Sequence, residues 1–277
     1  SQSRFESSQT FVETMERLEN ALLPGEGDLS SQISQFFRTL ADVEASPGDL
    51  APRAAAIEQG NGLANAFNVT AFVLRDLEAQ IVGTIDQEVS EVNRLVTSLG
   101  SVNGKLRSSN LGSSPPNALM DERDRLISEI SKKVRISVNY GPRFDVNVRL
   151  GEHDTGPLLL DGEKSQAIRA IFSEESGVSY KLGSNKVVKV LDDGGLKGLS
   201  TALSVIQDTH SQVDRLADRM VNEINIAHRN GIDFDGQFGR SMFTAREFTV
   251  EPAFQNSGPL DVSLLAVPGL VDGIVDT

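Results

Sequence analysis

Between Pro52 and Pro115 the chain has no proline, and one apolar row crosses most of that stretch. Phe67, Ala71, Leu74, Leu77, Ile81, Ile85, Glu88, Val92, Leu95, Leu99, Val102 and Leu106 follow at steps of three or four. The mean step, about 3.55, lies between the coiled-coil repeat and the free helix. Only Glu88 is polar in that row; with Val89 and Val92 beside it, it reads as a seam-edge residue. Asp49 reads as an N-cap, and Pro52 sits where a first-turn proline is tolerated. A single helix over 53–107 is roughly 80 Å long at ~1.5 Å per residue. That exceeds the inside of a compact domain, so an elongated molecule is expected. Asn61-Gly62 and Gly83 are the weak points of this helix.

A second seam lies toward the C-terminus. Leu196, Leu203, His210, Ala217 and Ile224 repeat every seven residues, as do Leu199, Ile206, Val213, Met220 and Ala227. The natural partner of this 196–229 helix is the long one. Leu74, Ile81, Leu95 and Leu99 are then expected in a seam with Leu199, Leu203, Ile206, Val213 and Met220. Asn230-Gly231 stops the helix. Three shorter helices are expected. The first, 3–22, carries Phe11, Met15, Leu18 and Leu22 and ends at Pro24-Gly25. The second is capped by Asp28 or Ser30, carries Ile33, Phe36, Phe37 and Leu40, and closes at Pro47-Gly48. The third is capped by Asn117 and runs to about Lys133, burying Leu119, Leu126, Ile127, Ile130 and Val134.

After Lys133 the period changes from 3.6 to 2. Segments 135–138, 144–150, 158–160, 167–172, 178–182 and 187–191 read as six short strands separated by Gly, Asp and Ser turns. The fold class is therefore mainly α and multidomain. It is an antiparallel helical bundle or coiled-coil rod with a small inserted β domain. The division is 1–133 for the first part of the rod, 134–192 for the insert, 193–244 for the second part of the rod and 245–277 for an unassigned irregular or β tail.

Composition removes several functions. The 277 residues include 26 basic and 39 acidic ones, no Cys and no Trp. A disulfide framework, a thiolate zinc site and a cysteine nucleophile are excluded. A net charge of −13 opposes nonspecific nucleic-acid binding, which neutralises phosphates with Lys and Arg. No apolar run approaches the ~20 residues of a membrane span. Arg4 and Glu6, with no apolar h-region, do not form a Sec-type signal peptide.

No catalytic, cofactor or metal constellation emerges. His153, His210 and His228 do not share metal-ligand spacing, and His210 falls inside the heptad seam. The 156–165 segment superficially resembles a phosphate loop but has five residues between its glycines and an extra Glu163. Asp233-Phe234-Asp235-Gly236 resembles part of a calcium loop, lacks the remaining ligands, and reads as a turn. Asn68-Val69-Thr70 is a glycosylation sequon inside an expected helix. No Gly-x-Ser-x-Gly nucleophile elbow occurs. The residues by themselves favour a structural or interaction protein. Its candidate contact motifs are the acidic-basic run with Asp121, Arg123 and Asp124, and the turn with Asn230, Gly231, Asp233, Gly236 and Phe243.

Several stretches together resemble the flagellar hook-associated protein 1 (FlgK) family, junction proteins between hook and filament. They are Ser-Gln-Phe-Phe-Arg-Thr-Leu at 34–40, Asn-Ala-Leu-Met-Asp-Glu-Arg-Asp-Arg-Leu-Ile-Ser-Glu-Ile at 117–130 and the opening of the heptad helix at 193–199. The most specific is 221–243, which includes Ala-His-Arg-Asn-Gly-Ile-Asp-Phe-Asp-Gly-Gln-Phe-Gly-Arg. The resemblance implies a non-enzymatic axial protein of the bacterial flagellum, exported through the type III apparatus without a cleaved signal. Its implied partners are the hook protein, the second junction protein (hook-associated protein 3), other copies of itself in a ring, and an export chaperone. Family members carry an apolar, Asn-rich start and a terminal heptad helix, neither of which this chain has. The expectation is a fragment of rod and outer domain that lacks the chaperone site.

Alternatives from the same class are hook protein, flagellin or the second junction protein. Alternatives from other classes are an exported hydrolase on a helical stalk, with a carboxylate pair in the insert or tail, and a cytoplasmic coiled-coil binding module.

Overall fold

In the computed structural model, the described residues are 2–22, 28–109, 116–173, 177–183, 186–188, 191–233 and 235–244. Among the described residues, five helices and seven strands occur in the order α1 (Gln2–Leu22), α2 (Leu29–Ala45), α3 (Leu50–Ser108), α4 (Asn117–Lys133), β1 (Ile136–Tyr140), β2 (Val146–Leu150), β3 (Leu158–Asp161), β4 (Lys164–Ser165), β5 (Ile168–Ser173), β6 (Gly177–Leu182), β7 (Lys186–Val188) and α5 (Gly195–Asn230). The chain is mainly helical, with long helices and small antiparallel sheets inserted between α4 and α5. The expected tail at 245–277 lies outside the described residues.

The proline-free stretch forms one 59-residue helix. Asp49 Oδ1 accepts from the Ala51 N–H at 3.0 Å, satisfying a free donor at its start. Asp28 caps α2 in the same way, taking the Ser31 N–H at 2.7 Å. The third expected cap differs. Asn117 is the first residue of α4, and the Pro116 carbonyl takes the N–H groups of Leu119 and Met120.

Contacts divide the chain into two compact units, Ser1–Arg17 with Glu78–Gln207, and Leu18–Leu77 with Asp208–Thr277. In the first, the core combines Ile85, Val92, Leu95, Leu99 and Leu106 of α3 with Leu126 and Ile130 of α4. Val148, Leu160, Ile168 and Tyr180 of the sheets join them, with Leu196, Leu203 and Ile206 of α5. Val89 occupies the core and Glu88 sits half-buried at the edge, where its Oε2 meets Lys133 Nζ at 2.5 Å.

The strands form two sheets. One has the order β1-β2-β3-β4 and the other β5-β6-β7, all antiparallel. The two-residue β4 is too short to leave a periodic signal. Phe144, expected at a strand start, lies in the turn before β2 with φ 62°.

In α1 the buried positions of this unit carry small polar residues, and the expected Phe11 and Met15 are half-buried. Ser3 and Thr14 are buried, whereas Phe5 and Val12 are 65% and 51% exposed. The reason lies in α5: a Cβ on Gly198 would come within 2.4 Å of the Ser7 carbonyl and 3.0 Å of Thr10 Cβ. Backbones that close leave no room for a large side chain at the crossing itself.

In the second unit one cluster joins Phe36 of α2, Leu63, Ala64, Phe67 and Ala71 of α3, Ala217 and Val221 of α5, and Met242 and Phe243 beyond α5. Val213, Met220 and Ile224 pack against it.

Candidate functional site

The positions where sheets and turns are fixed to the helices carry the most specific polar geometry. Asn103 of α3 is fully buried. Its Oδ1 accepts the Val146 N–H at 3.0 Å, and its Nδ2 donates to the Val146 carbonyl at 2.7 Å and the Gly162 carbonyl at 2.6 Å. The amide thereby replaces a neighbouring strand for the first residue of β2. Ten residues earlier, Asn93 does the same for Ile168 at the start of β5, with both bonds at 2.8 Å. In the other unit, Asn225 accepts the Phe243 N–H at 2.9 Å and donates to its carbonyl at 2.6 Å.

None of these three asparagines stood out in the sequence. A weak signal exists: each directly follows a core aliphatic (Val92, Val102, Ile224), and Asn disfavours a helix interior. Asn65 and Asn222 also lie within helices and are exposed, so that signal alone does not select the clamps.

Among the residues singled out in the acidic-basic run, Arg123 is buried, and Asp121 and Asp124 are exposed. Arg123 Nη1 donates to the Phe144 carbonyl at 2.7 Å, its Nε donates to Asp124 Oδ1 at 2.8 Å, and its guanidinium lies 5.1 Å from the Tyr140 ring centroid. It thus ties α4 to the left-handed residue of the β1–β2 turn. Nearby, Arg125 donates to Glu122 at 2.7 Å and to Glu129 at 2.6 Å. The Arg125 hydrogen bond holds the Glu122 carboxyl below its usual range.

At the far end of the sheets, Asp193 collects the chain ends of this unit. Its carbonyl accepts the Arg135 N–H at 3.1 Å, and its carboxylate faces Arg135 at 3.2 Å and Arg4 at 3.9 Å. The adjacent Gly194 donates its N–H to the Ser3 carbonyl at 3.0 Å. Gly194 has φ 101°, and a Cβ there would lie 2.5 Å from the Lys133 carbonyl.

The second motif folds into a hairpin. Asn230 ends α5, and Gly231 N–H returns to the carbonyls of Ala227 and His228. Ile232 bridges Phe238. Asp233 Oδ1 accepts the N–H groups of Asp235 and Gln237, and Gly236 takes φ 76°. The Asp233 carboxylate is therefore committed to its own turn. Phe243 is buried against Phe36, ring centroids 5.7 Å apart. Asn230, Gly231, Asp233 and Gly236 are exposed. The structure brings this set together and keeps the acidic-basic run in the other unit.

Of the seam residues, Leu74, Ile81, Leu95, Leu99, Leu199, Leu203 and Ile206 are buried, and Val213 and Met220 are half-buried. His210 faces Asp214 one turn on, at 3.7 Å.

A surface groove of about 610 Å³ is lined by carboxylates, but Glu88, Glu91 and Glu129 face Lys133, Arg94 and Arg125 respectively. Among the described residues no group of His, Asp or Glu could hold a metal ion, and no helix is long and apolar enough to cross a membrane.

Comparisons with known proteins supply what these contacts, all internal to the chain, do not. The chain is 28% identical over 274 residues to flagellar hook-associated protein 1 of Salmonella typhimurium, covering 95% of this chain and 48% of that protein. It is 27% identical over 261 residues to that of Escherichia coli, covering 90% and 47%. For Bacillus subtilis the identity is 23% over 276 residues, covering 90% and 53%. The chain spans about half the length of the curated relatives it matches. Its fold resembles the flagellar hook junction protein FlgK from Burkholderia pseudomallei, with a TM-score of 0.77 at 21% identity over 88% of this chain and 46% of that one. The helices, both sheets and the hairpin at 231–243 all fall within residues 15–243 except the start of α1, and the family described as "Flagellar hook-associated protein FlgK helical domain" matches that whole span, so the chain belongs to this family.

Proposed function

We propose that this chain serves within a junction protein that joins the flagellar hook to the filament, as a non-enzymatic axial component outside the cell. The observation that carries this reading is the match to the FlgK helical-domain family across 15–243, which runs through helices, sheets and hairpin in order. The partners are the hook protein on one side, the second junction protein (hook-associated protein 3) on the other, and further copies in a ring. Export proceeds without a cleaved signal peptide, with a chaperone for the full-length protein.

In this reading 1–133 and 193–244 form the axial rod domain, and 134–192 is its inserted β domain. Leu74, Ile81, Leu95, Leu99, Leu199, Leu203, Ile206, Val213 and Met220 hold the rod together. Asp121, Arg123 and Asp124, and the turn with Asn230, Gly231, Asp233, Gly236 and Phe243, support contacts of rod to insert or of subunit to subunit. The test is deletion of the gene, followed by electron microscopy and an assay of flagellin in the medium. Hooks without filaments, with flagellin released, are expected. Normal filaments overturn the reading.

A further inference from the structure

Apolar burial has no direction, and α3 offers the same chemistry at several heights. Val92, Val96, Leu99, Val102 and Leu106 are all buried. A shift of one helical turn exchanges one set of large aliphatics for another. Something else must select where the four-stranded sheet sits.

Two glycines and one asparagine on α3 meet that requirement. A Cβ on Gly100 would lie 2.8 Å from the Glu163 carbonyl, and one on Gly104 would lie 2.9 Å from the Glu163 carboxylate carbon. The β3–β4 turn therefore rests on bare helix backbone. Gly83, the other glycine of α3 in this unit, has nothing within 4 Å of the same position. Between the two close-contact glycines stands Asn103, with its three bonds to Val146 and Gly162. The Gly162 N–H is taken within the sheet, by Asn147 at 2.8 Å, so the Gly162 carbonyl is the group of that glycine whose partner depends on the place of the turn along α3. A displaced sheet leaves the Asn103 amide and the Val146 backbone buried without partners, and drives the turn into a side chain.

We propose that Gly100, Asn103 and Gly104 form a register-setting socket that determines where the four-stranded sheet docks along α3. The inference concerns the fold of this chain and stands whether or not the flagellar reading does.

Hydrogen exchange on the full chain tests it. Asn103→Asp removes both N–H donors at nearly constant volume. Gly100→Ala adds only a Cβ against Glu163 and removes no polar group. Leu99→Ala, a cavity in the same core, reports the response to lost stability alone. For Asn103→Asp and Gly100→Ala, amides in 146–150 and 158–165 are expected to exchange at least tenfold faster relative to those in 168–182 and α5. Leu99→Ala is expected to raise exchange across the unit without that contrast. Wild-type protection of 146–150 and 158–165 in both variants overturns the proposal. So does uniform acceleration matching Leu99→Ala, or joint loss of the helices and both sheets in Gly100→Ala. If Asn103→Asp does not fold, Gly100→Ala decides between the same outcomes.

Discussion

Asn225 binds Phe243 through both of its backbone groups, the N–H at 2.9 Å and the carbonyl at 2.6 Å, and both residues are buried. A helix side chain thus supplies what a paired strand supplies elsewhere, and it holds the hairpin so that Phe243 enters the core beside Phe36. Asn225→Leu leaves two backbone groups buried without partners. The expected loss is about 2–6 kcal/mol of unfolding free energy, at roughly 1–3 kcal/mol for each of the two orphaned groups. Urea denaturation measures it, and an unchanged midpoint refutes the clamp.

Arg123 is buried, donates to the Phe144 carbonyl at 2.7 Å and lies over Tyr140. Arg123→Ala is expected to cost about 2–3 kcal/mol, from the charged hydrogen bond and the lost packing. Arg123→Lys restores only part, because one ammonium cannot serve Asp124 and the carbonyl in the same fork geometry. If 121–124 only builds the fold, the folded Arg123→Ala protein still assembles when placed in the full-length protein. Loss of assembly at full folding assigns this run a contact role.

Gly198 touches the Ser7 carbonyl so closely that any Cβ must displace α1. Gly198→Ala is expected to destabilise by about 1–3 kcal/mol, as overpacking does, although alanine is the better helix former. A thermal melt showing stabilisation removes the close crossing.

Tyr180 is 1% exposed, and burial pushes its hydroxyl up to about 12, against a smaller opposing effect of the Ser200 hydrogen bond. The folded value is raised above the unfolded value of 10.0, so the neutral phenol stabilises the fold fully below pH 10. That contribution falls as pH rises from 10 through 12. The loss is of order 2–3 kcal/mol at ~1.4 kcal/mol per unit. Tyr180→Phe is expected to cost about 1 kcal/mol at neutral pH for the lost bond to Ser200 Oγ and to flatten the alkaline slope. Equal slopes for both proteins above pH 10 refute this.

Much of the fold was legible because it rests on repetition. The row from Phe67 to Leu106 and the heptads from Leu196 to Ala227 needed only a period to be recognised, and they mark α3 and α5. Asp28 and Asp49 cap as their chemistry requires. Strand alternation placed five of the seven strands and most of β1, but β4, with two residues, carries no period. The candidate site was half legible: Arg123 and Phe243 stood in recognisable stretches, whereas the clamps Asn93, Asn103 and Asn225 did not.

The sequence by itself determined the helices, the apolar rows of α3 and α5 and the family, because periodicity and ordered motifs are properties of the chain. Only the tertiary structure decided that α1 faces inward with Ser3 and Thr14 and outward with Phe5 and Val12. It alone grouped the strands into two sheets and gave Asn103 its partners, Val146 and Gly162, far along the chain. The physical reason is common to these cases. Burial of apolar area follows from composition and spacing, but a buried amide or a bare glycine acquires meaning only from the group that packs against it.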